Sequence, residues 1–353
     1  MYLHKILEPS ANQIILADPT VISASDSPDG RFHLFCHSLL GIEEYVSNNA
    51  ESWEYLRTVL FSNFYTNNSK TNLKDTGLRI FAIVKYLVKV IAFRKGIITN
   101  FLRPFVIKIA NVYYLYFQEV TFTWQGLKFE FPPKSCIRCM QSEDLVNWSE
   151  PQTILEDDEK YSVISCPCLI KQDNKFRLFF THDTELTGDN SMMEPMKVSY
   201  AESNFPNKEF KVVDDIVVYK DELPFRQIGA LRAREIDGKY IYSCNPIEKV
   251  NGESKSSTWI LDKQDDGKFV VKTLLANDDV CQSVNIKDVY VLDLFKSRGN
   301  IEFIVNTRRK VRFLDKMNLR TTIFSVLILV VKNVLLHRED LYMGTLFQEK
   351  GVE

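Results

Sequence analysis

Cysteine is scarce and poorly placed for either bridging or metal binding. The chain has 7 Cys, an odd number, and Cys136 with Cys139 forms a single CxxC pair with no second pair behind it. That excludes a zinc knuckle, and the thiols read as buried free cysteines in a reducing compartment. An excess of one charge is also lacking, since 44 Lys+Arg face 46 Asp+Glu for a formal net charge of -2. A dominant nucleic-acid partner needs concentrated Lys and Arg, so none is expected. Gly (13) and Pro (12) are too few for a collagen-like polymer, and 45% hydrophobic content is too high for a disordered chain. The opening MYLHKILEPSANQIILADP has no long apolar core and no small-residue cleavage site, so no leader is read and cytoplasmic residence is the expectation. No phosphate-binding glycine loop, HExxH pair or metal-ligand cluster is present, and neither cofactor nor metal is expected.

Long apolar runs are few. TTIFSVLILVV, Thr321 to Val331, stops at Lys332; about 11 residues cannot cross a hydrocarbon core that needs about 20, so it reads as a buried strand. LRIFAIVKYLVKVIAFRK, Leu78 to Lys95, sets Lys85 and Lys89 one helical turn apart on an otherwise apolar cylinder. It reads as an amphipathic helix, packed on the body of the protein or resting on an anionic membrane or a protein partner.

What the chain has is a repeat. Four segments share an alternating apolar strand, a polar turn and an aromatic-rich strand: ADPTVISASDSPDGRFHLFCH from Ala17, RPFVIKIANVYYLYFQE from Arg103, CPCLIKQDNKFRLFFTHD from Cys166 and ALRAREIDGKYIYSCN from Ala230. Period-two alternation around DG, AN, DN and DG turns reads as β-hairpins. DVYVLDLFKSRGNIEFIVNTR from Asp288 is a weaker fifth copy. Third strands ending in related signatures follow, as in YVSNNAESWEYL, MQSEDLVNWSEP and YAESNFPNKEF. Five copies of roughly 60 residues, each of three or four strands, describe an all-β five-bladed propeller. A parallel α/β sheet would need a crossover helix between strands, and only one helix is read. The 353 residues therefore form one domain, 1–353, with a helical insertion over 66–100 between blades 1 and 2 and its helix at about 78–95. Residues 1 to 16 or the segment Leu341 to Phe347 would close the ring, and the sequence leaves both open.

Propeller geometry then locates a site. The start of strand one and the end of strand two of every blade meet at one end of the central channel. The strand-one starts are Asp18, Arg103, Cys166, Ala230 and Asp288. The strand-two ends are His37, Glu119, His182 with Asp183, Asn245, and Asn306 with Arg308; Glu43, Glu44 and Glu194 begin third strands on the same face. Paired carboxylates across such a pocket suit glycoside hydrolysis, in which one protonates the leaving oxygen and the other activates water or attacks the anomeric carbon. The 12% aromatic content suits strands and sugar-stacking surfaces alike.

ADPTVI with Asp18, YYLYF and SEDLVNWSEP resemble the five-bladed propeller glycosidases, the superfamily of glycoside hydrolase families 32, 43, 68 and 130, from about Ile14 to Arg308. The resemblance implies that Asp18 is the base or nucleophile. It also exposes departures. RPF keeps Arg103 and Pro104 without the Asp those families place in blade 2, Cys166 stands where family 32 has the Glu of its Glu-Cys motif, and IGALRAR has no carboxylate where family 43 has its acid. Glu119 is then the first choice for a general acid, with Asp183 or Glu194 second. Arg103 and Arg308 would hold an anionic substituent such as a carboxylate or phosphate. His37, His182, Asn245 and Asn306 would take sugar hydroxyls, with Glu194 and Asp288 beside them.

The leading expectation is a glycoside hydrolase or transglycosidase acting on an uncommon or acidic oligo- or polysaccharide. The alternative is a non-catalytic propeller that binds glycan or protein, or takes part in glycan assembly at a membrane surface through the 78–95 helix.

Overall fold

The computed structural model describes residues 3–8, 15–38, 41–62, 95–125, 128–129, 132–183, 185–186, 193–194, 197–250, 253–275, 286–309 and 339–347. They form a five-bladed β-propeller. Blade 1 is Ala17–Ile22, Phe32–Ser38, Gly41–Ser47 and Glu54–Phe61. Blade 2 is Lys95–Ile109, Val112–Gln125, Lys134–Ser142 and Gln152–Glu156. Blade 3 is Ser165–Gln172, Lys175–His182, Lys197–Ser203 and Lys211–Asp215. Blade 4 is Ile228–Ile236, Lys239–Val250, Thr258–Lys263 and Phe269–Leu275, with Val218–Lys220 added in parallel at its outer edge.

Blade 5 settles how the ring closes. Ile286–Ser297, Asn300–Arg309 and Glu339–Phe347 supply three strands, and Leu3–Leu7 from the other end of the chain supplies the fourth. Both candidate segments therefore take part. Gly344 sits at this seam, where an added Cβ would lie 2.6 Å from Leu3 Cδ2 and 2.7 Å from Phe303 Cζ.

The expected hairpins hold because their turns have the required backbone. Two-residue hairpin turns that follow the sheet twist need φ > 0 at the first central position, as at Ala110 (54°) in blade 2, or at both. Asp173-Asn174 (52° and 60°), Asp237-Gly238 (52° and 75°) and Arg298-Gly299 (51° and 80°) supply it. The third-strand signatures are also turns. Asp144 Oδ1 accepts from the N–H groups of Val146 at 2.8 Å and Asn147 at 2.7 Å, and Trp148 Nε1 donates to the Leu145 carbonyl at 3.0 Å. Blade 1 repeats this with Asn49, Ala50 and Trp53. Between blades the core is a ring of apolar seams, such as Leu34, Tyr45, Phe295 and Ile304 between blades 1 and 5, and Phe35, Val106, Leu115 and Met140 between blades 1 and 2.

The helix expected at 78–95 lies outside the described residues except for Lys95, and so does the expected strand Thr321 to Val331. Lys95 opens a strand, so the chain is extended where the insertion was expected to run on to residue 100. Among the described residues there is no helix, and hence none long and apolar enough to cross a membrane.

The innermost strands all carry the same defect. In each, two residues face one on strand two: Asp18-Pro19 opposite Cys36, Arg103-Pro104 opposite Phe117, Cys166-Pro167 opposite Phe180, Gly229-Ala230 opposite Asn245, and Tyr290-Val291 opposite Asn306. These are β-bulges, which re-aim side chains. Proline has no N–H to give a ladder, so it costs no hydrogen bond in the unpaired slot that it fills in blades 1 to 3.

One charged pair ties the blades at the axis. Arg234 of blade 4 donates from Nε and Nη2 to Asp293 of blade 5 at 2.7 and 2.6 Å, from Nη2 to Thr20 Oγ1 of blade 1 at 2.7 Å, and from Nη1 to the Val106 carbonyl of blade 2 at 2.7 Å. Asp293, fully buried, also accepts from the Val21 N–H at 2.8 Å. Beyond Arg234 the channel opens at its other mouth into a cavity of about 570 Å³. Removing one partner of a buried pair leaves an uncompensated charge, so Asp293→Asn is expected to lower stability by about 3 kcal/mol in urea unfolding. The exposed pair Arg298–Glu51, at 2.8 Å, gives the comparison, with Glu51→Gln expected to cost about 0–1 kcal/mol. Equal losses would contradict the latch.

Candidate functional site

The bulges decide which residues reach the channel head. Asp18 (51°), Arg103 (56°) and Cys166 (49°) adopt left-handed φ, a conformation that costs an L-residue about 1–2 kcal/mol. Their counterparts in blades 4 and 5 are Gly229 and Tyr290, which corrects the expected Ala230 and Asp288. Ala230 instead fills the proline slot, where it joins Cys166 and Val291 in a small apolar cluster. Asp288 stands opposite Arg308 in the ladder, and Glu194 opposite Glu185 in a short ladder. The side chains of Asp288, Arg308 and Glu194 lie outside the described residues.

Asp18, His37 and Arg103 are brought together. Asp18 Oδ2 lies 3.1 Å from His37 Nδ1 and 3.9 Å from Arg103 Nε. The Arg103 N–H points at the same His37 nitrogen at 3.3 Å, so Nδ1 faces a donor on one side and a carboxylate on the other. Burial pushes the Asp18 carboxyl up, but the hydrogen bond and charge of His37 and the charges of Arg103 and Arg232 outweigh it, holding the group below the usual carboxylate range. Asp18 is therefore an anion suited to accept a proton, attack, or stabilise positive charge. Arg103 Nη1 donates to Ser165 Oγ at 2.5 Å, which fixes the guanidinium across the blade 2 to blade 3 seam.

Two of the expected acids, Glu119 and Asp183, are engaged with cations. Arg138 faces both oxygens of Glu119, with Nη2 donating to Oε1 at 3.1 Å and Nε 2.7 Å from Oε2. Asp183 accepts from Lys197 Nζ at 2.9 Å and lies 3.2 Å from His182 Nδ1. Burial raises its carboxyl, but these two partners together bring it below the ordinary range, the opposite of what a proton donor at neutral pH requires. His182 is committed inside blade 3, its Nε2 2.8 Å from Ser199 Oγ, which in turn donates to Asp215 at 2.6 Å. Asn245 uses its amide on the Ser257 carbonyl at 3.0 Å and Thr258 Oγ1 at 3.1 Å. Asn306 is buried opposite the blade 5 bulge.

Glu43 and Glu44 diverge because adjacent strand residues face opposite ways. Glu43, fully buried, accepts from Ser38 Oγ at 2.8 Å and Tyr45 Oη at 3.2 Å. Burial raises the Cys36 thiol, and the charges of Glu43 and Asp18 raise it further, so both carboxylates act on this one thiol. Glu44 faces blade 2. Its oxygens meet His33 Nδ1 at 2.7 Å and Arg57 Nε at 2.7 Å, while Arg57 Nη1 reaches the Val146 carbonyl at 3.1 Å. Among the described residues no group of three His, Cys, Asp or Glu could hold a metal ion.

Sequence reasoning missed Arg232. It stands on the innermost strand of blade 4 at the level of Val21, Val106 and Leu169, and it is 2% exposed. The visible signal was a charged residue where three aligned copies carry an apolar one.

No family model matches the sequence, and no curated protein does either. Solved structures do match. They include a GH43_1 enzyme from Xanthomonas citri complexed with xylose, with TM-score 0.53 and 11% identity over 98% of this chain and 92% of that one. A GH43 endo-arabinanase from Bacillus licheniformis gives 0.52 and 11% over 98% of both chains. Sucrose-6-phosphate hydrolase from Lactobacillus gasseri gives 0.50 and 15% over 91% of this chain and 59% of that one. At these identities the shared property is the five-bladed fold.

The Glu44 cluster makes a prediction about pH. Burial lowers His33, but hydrogen bonds and charge from Glu44 and Asp29 raise it overall above its ordinary 6.5. The stabilisation is thus complete below about pH 6.5 and is lost as pH rises through the folded-state value. The stability difference between the parent and His33→Gln, from urea unfolding, should therefore shrink from pH 6 to pH 9. A difference independent of pH would contradict the charged-imidazole account.

Proposed function

We propose that this protein is a carbohydrate-active enzyme, a glycoside hydrolase or transglycosidase, with Asp18 as the carboxylate that acts on the anomeric centre. One observation carries the reading: a strained, buried, ionised carboxylate heads the innermost strand of blade 1 at the channel, next to His37 and Arg103. Strain of this kind collects at functional sites. The structurally similar proteins include enzymes named for arabinan and for sucrose 6-phosphate, which supports a glycan substrate. An anionic substituent is favoured because the partly exposed Arg103 guanidinium stands at the channel head beside Asp18. The proton donor in this reading is Glu119, which must exchange Arg138 for substrate. Action within one domain, 1–353, on the cytoplasmic side, and docking through the 78–95 segment belong to the same proposal.

A second reading, glycan binding without turnover, is favoured by the pairing of Glu119 with Arg138 and of Asp183 with Lys197. Hydrolysis of arabino-, xylo- and fructo-oligosaccharides, with and without carboxylate or phosphate groups, separates the two. The expected outcome is turnover by the parent that falls by about 10³-fold or more in Asp18→Asn, with both proteins melting within about 3 °C of each other. Full turnover in that variant would remove Asp18 from the chemistry. Glycan binding by both proteins with turnover by neither would establish the binding reading.

A further inference from the structure

Arg232 is a buried charge in a place that would accept an apolar residue. Its counterparts at the same level of the other innermost strands are Val21, Val106, Leu169 and Asp293, and Asp293 is neutralised by Arg234. Among the described residues Arg232 has no carboxylate within ion-pair distance. Its Nη1 and Nη2 donate to the carbonyls of Pro167 at 3.2 Å and Pro104 at 3.0 Å, its guanidinium lies 5.1 Å from the Phe105 ring centroid, and its Nε has no partner. A guanidinium held this way is costly, because carbonyl dipoles only partly replace its hydration.

The two carbonyls are the informative part. Pro104 and Pro167 occupy the unpaired slots of the bulges in blades 2 and 3, directly after Arg103 and Cys166, the left-handed counterparts of Asp18. Arg232 thus reaches from blade 4 and pins both bulges that aim those residues at the channel head. We propose that Arg232 is the positioning residue of the Asp18 site, fixing the bulges of blades 2 and 3 from beneath and supplying a solvent-sealed countercharge in addition to the partly exposed Arg103. The groups acting on Asp18 are His37 from its own blade, Arg103 from blade 2 and Arg232 from blade 4, and the Cys36 thiol lies on the strand beside it. Arg103 is the more exposed guanidinium, whereas Arg232 is sealed from solvent, where its charge is least screened.

The proposal rests on Asp18 being the functional carboxylate, but its test does not need turnover. Protein labelled with ¹³C at the aspartate carboxyls, with the Asp18 signal identified by its loss in Asp18→Asn, is titrated in the parent, Arg232→Gln and Arg232→Lys. Gln keeps donors for the proline carbonyls and removes the charge; its Asp18 midpoint should rise by about one unit or more. Lys keeps the charge and should restore most of the parent value. A folded Arg232→Gln protein whose Asp18 midpoint equals the parent's would overturn the proposal. If Arg232→Gln does not fold, the parent decides: a midpoint unchanged between about 0.05 and about 0.5 M salt supports a buried countercharge. A midpoint that climbs toward the ordinary carboxylate value contradicts it. Loss of the titration effect would leave the glycosidase reading standing, and loss of glycan turnover would leave the Arg232 linkage standing.

Discussion

Five sheets can share an axis only if the side chains that meet there are satisfied, and in this molecule the contact that does it is Arg234 with Asp293. The pair joins blades 4 and 5, and its remaining hydrogen bonds reach Thr20 and Val21 of blade 1 and the Val106 carbonyl of blade 2. In a low-dielectric interior such a fork is worth keeping only when its nitrogens are partnered, and here all three donate, within contacts that span four blades. Above that level each strand enters through a bulge, so the direction of Asp18, Arg103 and Cys166 depends on strands held at a fixed height by the pair beneath.

The chemistry follows from the same frame. A carboxylate at the channel head would ordinarily be driven toward its neutral form by burial. His37, Arg103 and Arg232 reverse that, while Glu119, Asp183 and Glu44 are drawn off to Arg138, Lys197 and Arg57, and Glu43 is held by Ser38 and Tyr45. The outcome is a channel head where an ionised Asp18 stands beside the Arg103 guanidinium, with Arg232 sealed below them.

The architecture was legible because hairpin turns and bulges leave chemical marks. Asp-Gly and Asp-Asn announce φ > 0, and Asp-Pro, Arg-Pro and Cys-Pro mark a slot that needs no N–H, so the channel-head residues of blades 1 to 3 could be read directly. In blades 4 and 5 the slot holds Ala230 and Val291, which any strand could carry, and there the reading slipped from Gly229 to Ala230 and from Tyr290 to Asp288. The fate of Glu119, Asp183 and Glu44 was not legible. It depends on which cation sits across the sheet within the same blade, and local pattern does not encode that register. Arg232 and Arg234 are charges in an otherwise apolar strand, but their partners come from blades distant in sequence, so their roles were not legible either.

The central claim is that the Asp18 end of the channel receives the sugar. A crystal structure of Asp18→Asn soaked with the glycan selected from the substrate panel tests it most directly. The account predicts a sugar ring at the channel head, with its anomeric carbon against position 18 and an anionic group toward Arg103. A ring found in the cavity at the opposite mouth, or on the outer strands with the channel head untouched, would contradict it.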